Sequence, residues 1–113
     1  MPEQPFTERR KGPRFAMIAE ADATEVRGGG SLLHVRISEL GAGGCYVDTL
    51  NPLPPSTQIR LHIEHGGLAC VLPATVIYVH EGIGMGVRFD DAPPDQRAIL
   101  NAWLAEMGAP PSQ

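Results

Sequence analysis

Apolar and polar residues alternate with a period of two in run after run of this chain. Phe15, Met17, Ala19, Ala21 and Ala23 fall on one side, and Glu20, Asp22 and Thr24 on the other. Leu33, Val35 and Ile37 alternate with His34, Arg36 and Ser38, and Ile59, Leu61 and Ile63 with Arg60, His62 and Glu64. Met85, Val87 and Phe89 repeat the pattern near the end. A period of two places successive side chains on opposite faces of an extended strand, so each run predicts a half-buried strand. Between the runs stand turn-formers: Gly28-Gly29-Gly30, the glycines at 41, 43 and 44, Asn51-Pro52-Leu53-Pro54-Pro55, Gly66-Gly67 and Glu81-Gly82. With 13 glycines and 11 prolines in 113 residues, short elements joined by turns are favoured over a helical bundle. Cys45 to Thr49 and Leu68 to His80 supply two further strands, with Pro73 marking an edge position or a bulge in the second.

The last segment changes period. Ile99, Leu100, Trp103, Leu104 and Met107 recur at helical spacing, with Asp91 as N-cap, Pro93-Pro94 at the start and Gly108 and Pro110 at the stop. The expected architecture is all-β: a six-stranded antiparallel barrel with the C-terminal helix over one opening and its Trp103 face against the barrel. Closure would remove the free edges that so small a sheet exposes. One domain is expected over 8–107, with a disordered tail at 1–7 and a second tail at 108–113.

No apolar run reaches the length of a membrane span, and MPEQPFTERRKGPR lacks the apolar core of a secretory signal. The expectation is a cytoplasmic protein with no direct membrane insertion, in which Cys45 and Cys70 stay reduced. Two cysteines without clustered histidines make no zinc set, and no cofactor is expected. The net charge is −4, yet Arg9, Arg10, Lys11 and Arg14 crowd into six residues. Beyond them, five cations face eleven acids. An acidic domain with one basic point suits a small anionic ligand better than a nucleic-acid polymer, which needs a basic stripe.

Signs of catalysis are missing from the pattern. The histidines at 34, 62, 65 and 80 are scattered over strands and turns and read as solvent-facing. There is neither a nucleophile elbow nor a phosphate loop, and Cys45 has no activating base in view. The expectation is that the protein is not an enzyme.

The arm Arg9-Arg10-Lys11-Gly12-Pro13-Arg14 is the feature richest in chemistry. Guanidinium forks match phosphate oxygens and the O6/N7 edge of guanine. Taken alone, the arm reads first as a solvated basic segment. In context, Glu8-Arg9-Arg10-x-x-x-Arg14-Phe15 resembles the opening of a PilZ domain. Gly43-Gly44-Cys45-Tyr46-Val47-Asp48-Thr49 resembles that family's third strand and Gly84-Met85-Gly86-Val87-Arg88-Phe89 its last, in the family's order over residues 8 to 107. The resemblance implies a ligand, the second messenger cyclic di-GMP, held by an RxxxR arm and a second motif, [D/N]xSxxG, between the second and third strands.

The second motif departs from the family pattern. A gapless register places Glu39 at the Asp/Asn position, Gly41 at the Ser position and Gly44 at the final Gly. The other register, anchored on Ser38, puts Arg36 at the acidic position and forces a three-residue insertion before Cys45. The gapless one keeps the downstream strand in phase and is preferred. The resemblance thus implies cyclic di-GMP binding through Arg9, Arg10, Arg14, Glu39, Gly41 and Gly44, weakened by the lost hydroxyl. It also implies an arm that orders on the ligand and signals to an effector protein. The alternative is a ligand-independent adaptor of the kind that serves motility or pilus assembly.

Overall fold

A computed structural model describes residues 14–27, 30 and 32–108. The strands are β1 (Arg14–Glu25), β2 (Leu32–Gly41), β3 (Gly44–Asp48), β4 (Gln58–His65), β5 (Leu68–His80) and β6 (Gly84–Phe89). They close into an antiparallel barrel in the order β1-β2-β3-β6-β5-β4. The seam is the β1–β4 ladder, in which Ala21 opposes Ile63 and Ala23 opposes Leu61. The barrel is the one the alternation predicts, and the terminal helix the one the helical spacing predicts. The expected tail at 1–7 and the arm residues up to 13 lie outside the described residues.

The inward rows follow the period of two. Met17, Ala19, Ala21 and Ala23 meet Val35, Ile37, Ile59, Leu61 and Ile63, and no polar or charged side chain among the described residues is buried. Cys45 and Cys70 are buried free thiols. Burial pushes the Cys45 thiol up to about 12 and the Cys70 thiol up to about 11.

Three irregularities interrupt the ladders. The register shifts between Ala16 and Ala19 on β1, between Ile37 and Glu39 on β2, and between Val76 and Tyr78 on β5. Each adds a residue to one strand, and a bulge of this kind re-aims the side chain beside it. On β2, both Ser38 and Glu39 therefore lie on the outer side between the buried Ile37 and Leu40. On β5, Ile77 is the extra residue and Tyr78, which strict alternation with Val76 would send inward, is exposed.

Pro73 sits neither on an edge strand nor in a bulge. It opposes Arg60 in the β4–β5 ladder, and its carbonyl accepts from the Asp90 N–H at 2.8 Å. Its nitrogen faces that same side, just past Phe89 where β6 ends, so no ladder bond is lost.

Helix α1 (Pro94–Glu106) begins later than an Asp91 cap requires. Pro93 is the N-cap and makes no side-chain cap bond, while Pro94 is preset for the first turn. The Pro93 carbonyl accepts from the N–H groups of Gln96 and Arg97. The helix lies against the barrel end where β4 turns into β5. Gln96 Oε1 accepts from the Val71 N–H at 2.7 Å, and Arg97 Nη1 donates to the Ala42 carbonyl in the β2–β3 turn at 2.9 Å. Leu100, Trp103 and Leu104 are buried in the same core as the strands.

Candidate functional site

Arg14 opens β1 opposite Gly41 at the end of β2. Its Nη1 donates to Glu39 Oε1 at 3.3 Å, with 16% of the arginine side chain and 46% of the glutamate side chain exposed. The contact depends on the β2 bulge, because an unbulged strand would turn Glu39 into the core. A half-exposed pair of this sort is worth about 0.2–1 kcal/mol, too little to lock the guanidinium against a stronger partner.

The residues of the other register are engaged elsewhere. Ser38 Oγ donates to Asp48 Oδ1 at 3.0 Å, and Arg36 Nη2 reaches Asp48 Oδ2 at 3.5 Å. Of the expected site residues, Arg14, Glu39 and Gly41 are thus brought together at one corner. Gly44 opens β3 across the tight turn, and Arg9 and Arg10 fall outside the described residues. Gly44 is required sterically. A Cβ there would run into the Val87 carbonyl, with the Arg88 Cα only 3.3 Å away. The β3–β6 ladder packs too closely at this point for any side chain.

One group escaped the sequence analysis. Tyr46, Tyr78 and His80 cluster on the outer face of β3, β6 and β5. Ring centroids are 6.3 Å apart for Tyr46–Tyr78, 5.8 Å for Tyr46–His80 and 5.3 Å for Tyr78–His80. The Tyr46 hydroxyl lies 2.9 Å from His80 Nδ1. Burial raises the Tyr46 phenol above its ordinary value, with smaller contributions from Tyr78 and Asp48, so it is neutral at physiological pH. Tyr46 could be placed by alternation. Tyr78 could not, since its outward direction comes from the bulge at Ile77.

On the neighbouring outer face His34 lies between two carboxylates, with Nδ1 2.7 Å from Asp22 Oδ1 and Nε2 2.9 Å from Glu20 Oε1. His62 is exposed beside Glu64, as expected. His65 departs from expectation: it is half-covered and meets Trp103 edge-on at 5.4 Å. Among the described residues, no group of three or more histidines, cysteines and acids could hold a metal ion, and no helix is long and apolar enough to cross a membrane.

A closed six-stranded barrel, an arginine at the root of β1 and a glycine-bearing turn between β2 and β3 define a small binding-domain class, and comparison with known proteins gives it a name. The PilZ domain family model matches residues 8–106, and the chain belongs to that family. Among solved structures, the PilZ domain of CeSA from a cellulose-synthesising bacterium superposes with a TM-score of 0.69 at 16% identity, covering 87% of this chain and 100% of that one. The PlzA protein of Borreliella burgdorferi in complex with c-di-GMP gives a TM-score of 0.64 at 13% identity, covering 85% of this chain but only 41% of that one. An uncharacterized Legionella protein gives 0.57 at 17% identity, covering 84% and 92%. No curated protein matches the chain. At these identities the structural likenesses speak for the fold alone.

Proposed function

We propose that this domain is a cytoplasmic receptor for cyclic di-GMP that acts by binding, without catalysis or cofactor, and signals to an effector protein when its arginine arm orders on the ligand. The observation that carries the reading is the Arg14–Glu39 pair, which holds the second arginine of the RxxxR arm beside the carboxylate of the second motif. Family membership supports it, as does the complex formed by the PlzA relative.

The energetics favour ligand over the resting pair. Arg14 gives up about 0.2–1 kcal/mol on leaving Glu39. A charge-assisted bond to phosphate or guanine returns about 1.5–3 kcal/mol. In this scheme Arg10 and Arg14 grip phosphate and the guanine Hoogsteen edge, and Arg9 stacks or adds charge. Glu39, once released, accepts from the guanine N1–H and N2–H₂ groups, and the Gly41–Gly44 turn forms the opposite wall.

A second reading rests on Glu39 and Gly41 themselves, which replace a shorter acid and a hydroxyl. It is a ligand-independent protein-interaction module. Calorimetric titration with cyclic di-GMP, with GTP and cyclic GMP as controls, separates the two. The receptor reading expects saturable binding that Arg14→Ala weakens about tenfold or more and Gly41→Ser strengthens. A folded wild type that gives no heat at millimolar ligand leaves the adaptor reading standing.

A further inference from the structure

Leu50 and Ile83 break the rule that this barrel keeps its apolar side chains inside. They are 79% and 64% exposed, and the bond from the Thr49 N–H to the Ile83 carbonyl, 3.1 Å long, brings their two turns together. Both side chains line an open groove of about 370 Å³. An enclosed space of about 150 Å³ already holds a benzene ring, so the groove has room for one aromatic side chain. Glu20, His34, Arg36 and Asp48 form its polar side.

That polar side is short of cations. Glu64 opposes Glu20, Glu20 opposes Arg36, and Arg36 opposes Asp48, so one row across β4, β1, β2 and β3 carries three carboxylates and one guanidinium. Asp22 adds a fourth carboxylate beside His34, and His62 stands by Glu64. Like charges directly opposed across a ladder are unfavourable, and the Glu20–Glu64 pair bears that cost. An occupant that suits the groove therefore joins an apolar ring to closely spaced cations.

The chain itself carries such a segment. In Phe6-Thr7-Glu8-Arg9-Arg10-Lys11 an aromatic ring precedes three consecutive cations. The segment lies outside the described residues and leads to Arg14, where β1 begins. From Arg14 to Glu20 the strand advances about 20 Å. The chain from Phe6 to Arg14 spans up to about 28 Å when extended, so Phe6 reaches the groove and the cations reach the carboxylates beside it. Gly12-Pro13 is a turn-former at the point where the chain would double back along the outer surface.

We propose that the groove seats this chain's own N-terminal segment, Phe6 against Leu50 and Ile83 and the cations over Glu20 and Asp48, so that the arm is held away from the Arg14–Glu39 corner until a ligand competes for it. The docking stands on the groove and the segment. The competition rests on the receptor reading above.

The test uses the full chain, first without ligand and at low salt. NMR looks in the wild type for contacts from the Phe6 ring protons to the Leu50 and Ile83 methyls, a readout that needs no variant to fold. A sample mixing two isotope labellings tells contacts within one chain from contacts between copies. Docking predicts contacts within one chain that fade in about 0.5 M salt, as the charges are screened, and that Leu50→Ser abolishes. Calorimetry with cyclic di-GMP then compares the wild type with Leu50→Ser. With about half to nine-tenths of the molecules docked, release of the arm tightens binding about two- to tenfold. A folded wild type without the Phe6 contacts overturns the proposal, and contacts found only between differently labelled copies overturn it in favour of a second copy's arm. A wild type that binds with an affinity Leu50→Ser leaves unchanged overturns the competition. Phe6 contacts in a wild type that binds no ligand overturn the receptor reading and leave the docking standing.

Discussion

His34 has a carboxylate against each ring nitrogen, and only the imidazolium can donate to both. Its pKa is accordingly raised, chiefly by the bond to Asp22 and then by that to Glu20. The folded value lies above the unfolded one of about 6.5. The stabilisation is therefore complete below about pH 6.5 and disappears as the pH climbs through the higher folded value. A side-chain NMR titration should find the His34 midpoint above 6.5. In urea melts, the gap between wild type and His34→Gln should narrow from pH 5.5 to pH 8.5, and parallel pH profiles would show that the clasp contributes nothing. Gly44 poses a steric test instead. Its Cβ would meet the Val87 carbonyl, backbone that cannot swing aside. Gly44→Ala should cost about 1–3 kcal/mol by overpacking, with amide protection lost first along β3 and β6. Unchanged stability would mean the two strands can separate without penalty.

Among the elements, α1 is the one whose attachment a single residue can report. Trp103 is 1% exposed and contributes the largest buried side chain of the described core. Trp103→Ala should lower stability by about 3–5 kcal/mol, visible as a large fall in Tm. An unshifted Tm would mean that the helix does not depend on its barrel contact. The strands and this helix were legible because alternation and helical spacing are local properties, and β5 runs over the same Leu68–His80 that its flanking turns delimit. The bulges were not. In Val35-Arg36-Ile37-Ser38-Glu39-Leu40 the inward residues fall at 35, 37 and 40, and in Val76-Ile77-Tyr78-Val79 nothing local says which residue is extra. That choice is made by pairing with β3 and β6, at a distance in sequence. Arg14 and Glu39 could be read as residue types in a motif, but their contact and the exposure of Tyr78 both hang on bulges. The Asp91 cap failed for a related reason: Pro93 and Pro94 preset the first turn themselves, so the helix starts without a side-chain cap.

For the molecule as a whole, closure and burial leave two thiols as internal reporters of opening. Cys45 lies on β3 inside the barrel, whereas Cys70 lies at the foot of β5, where its Sγ–H donates to the Gln96 carbonyl of α1 at 3.3 Å. Attack requires a thiolate in contact with reagent, and both thiols are shielded and held protonated in the folded chain. Undocking of α1 breaks the contact between Cys70 and the Gln96 carbonyl, a helix contact that Cys45 on β3 does not share. Labelling with a thiol reagent in native buffer should therefore modify Cys70 faster than Cys45, and Trp103→Ala should accelerate Cys70 most. Equal rates in both proteins would mean that helix and barrel open as one unit. An electrophile or oxidant thus meets these sulfurs only during the brief intervals in which the chain is open. Chemical damage would accumulate with time spent unfolded, and each modified molecule would carry a permanent record of having once come apart.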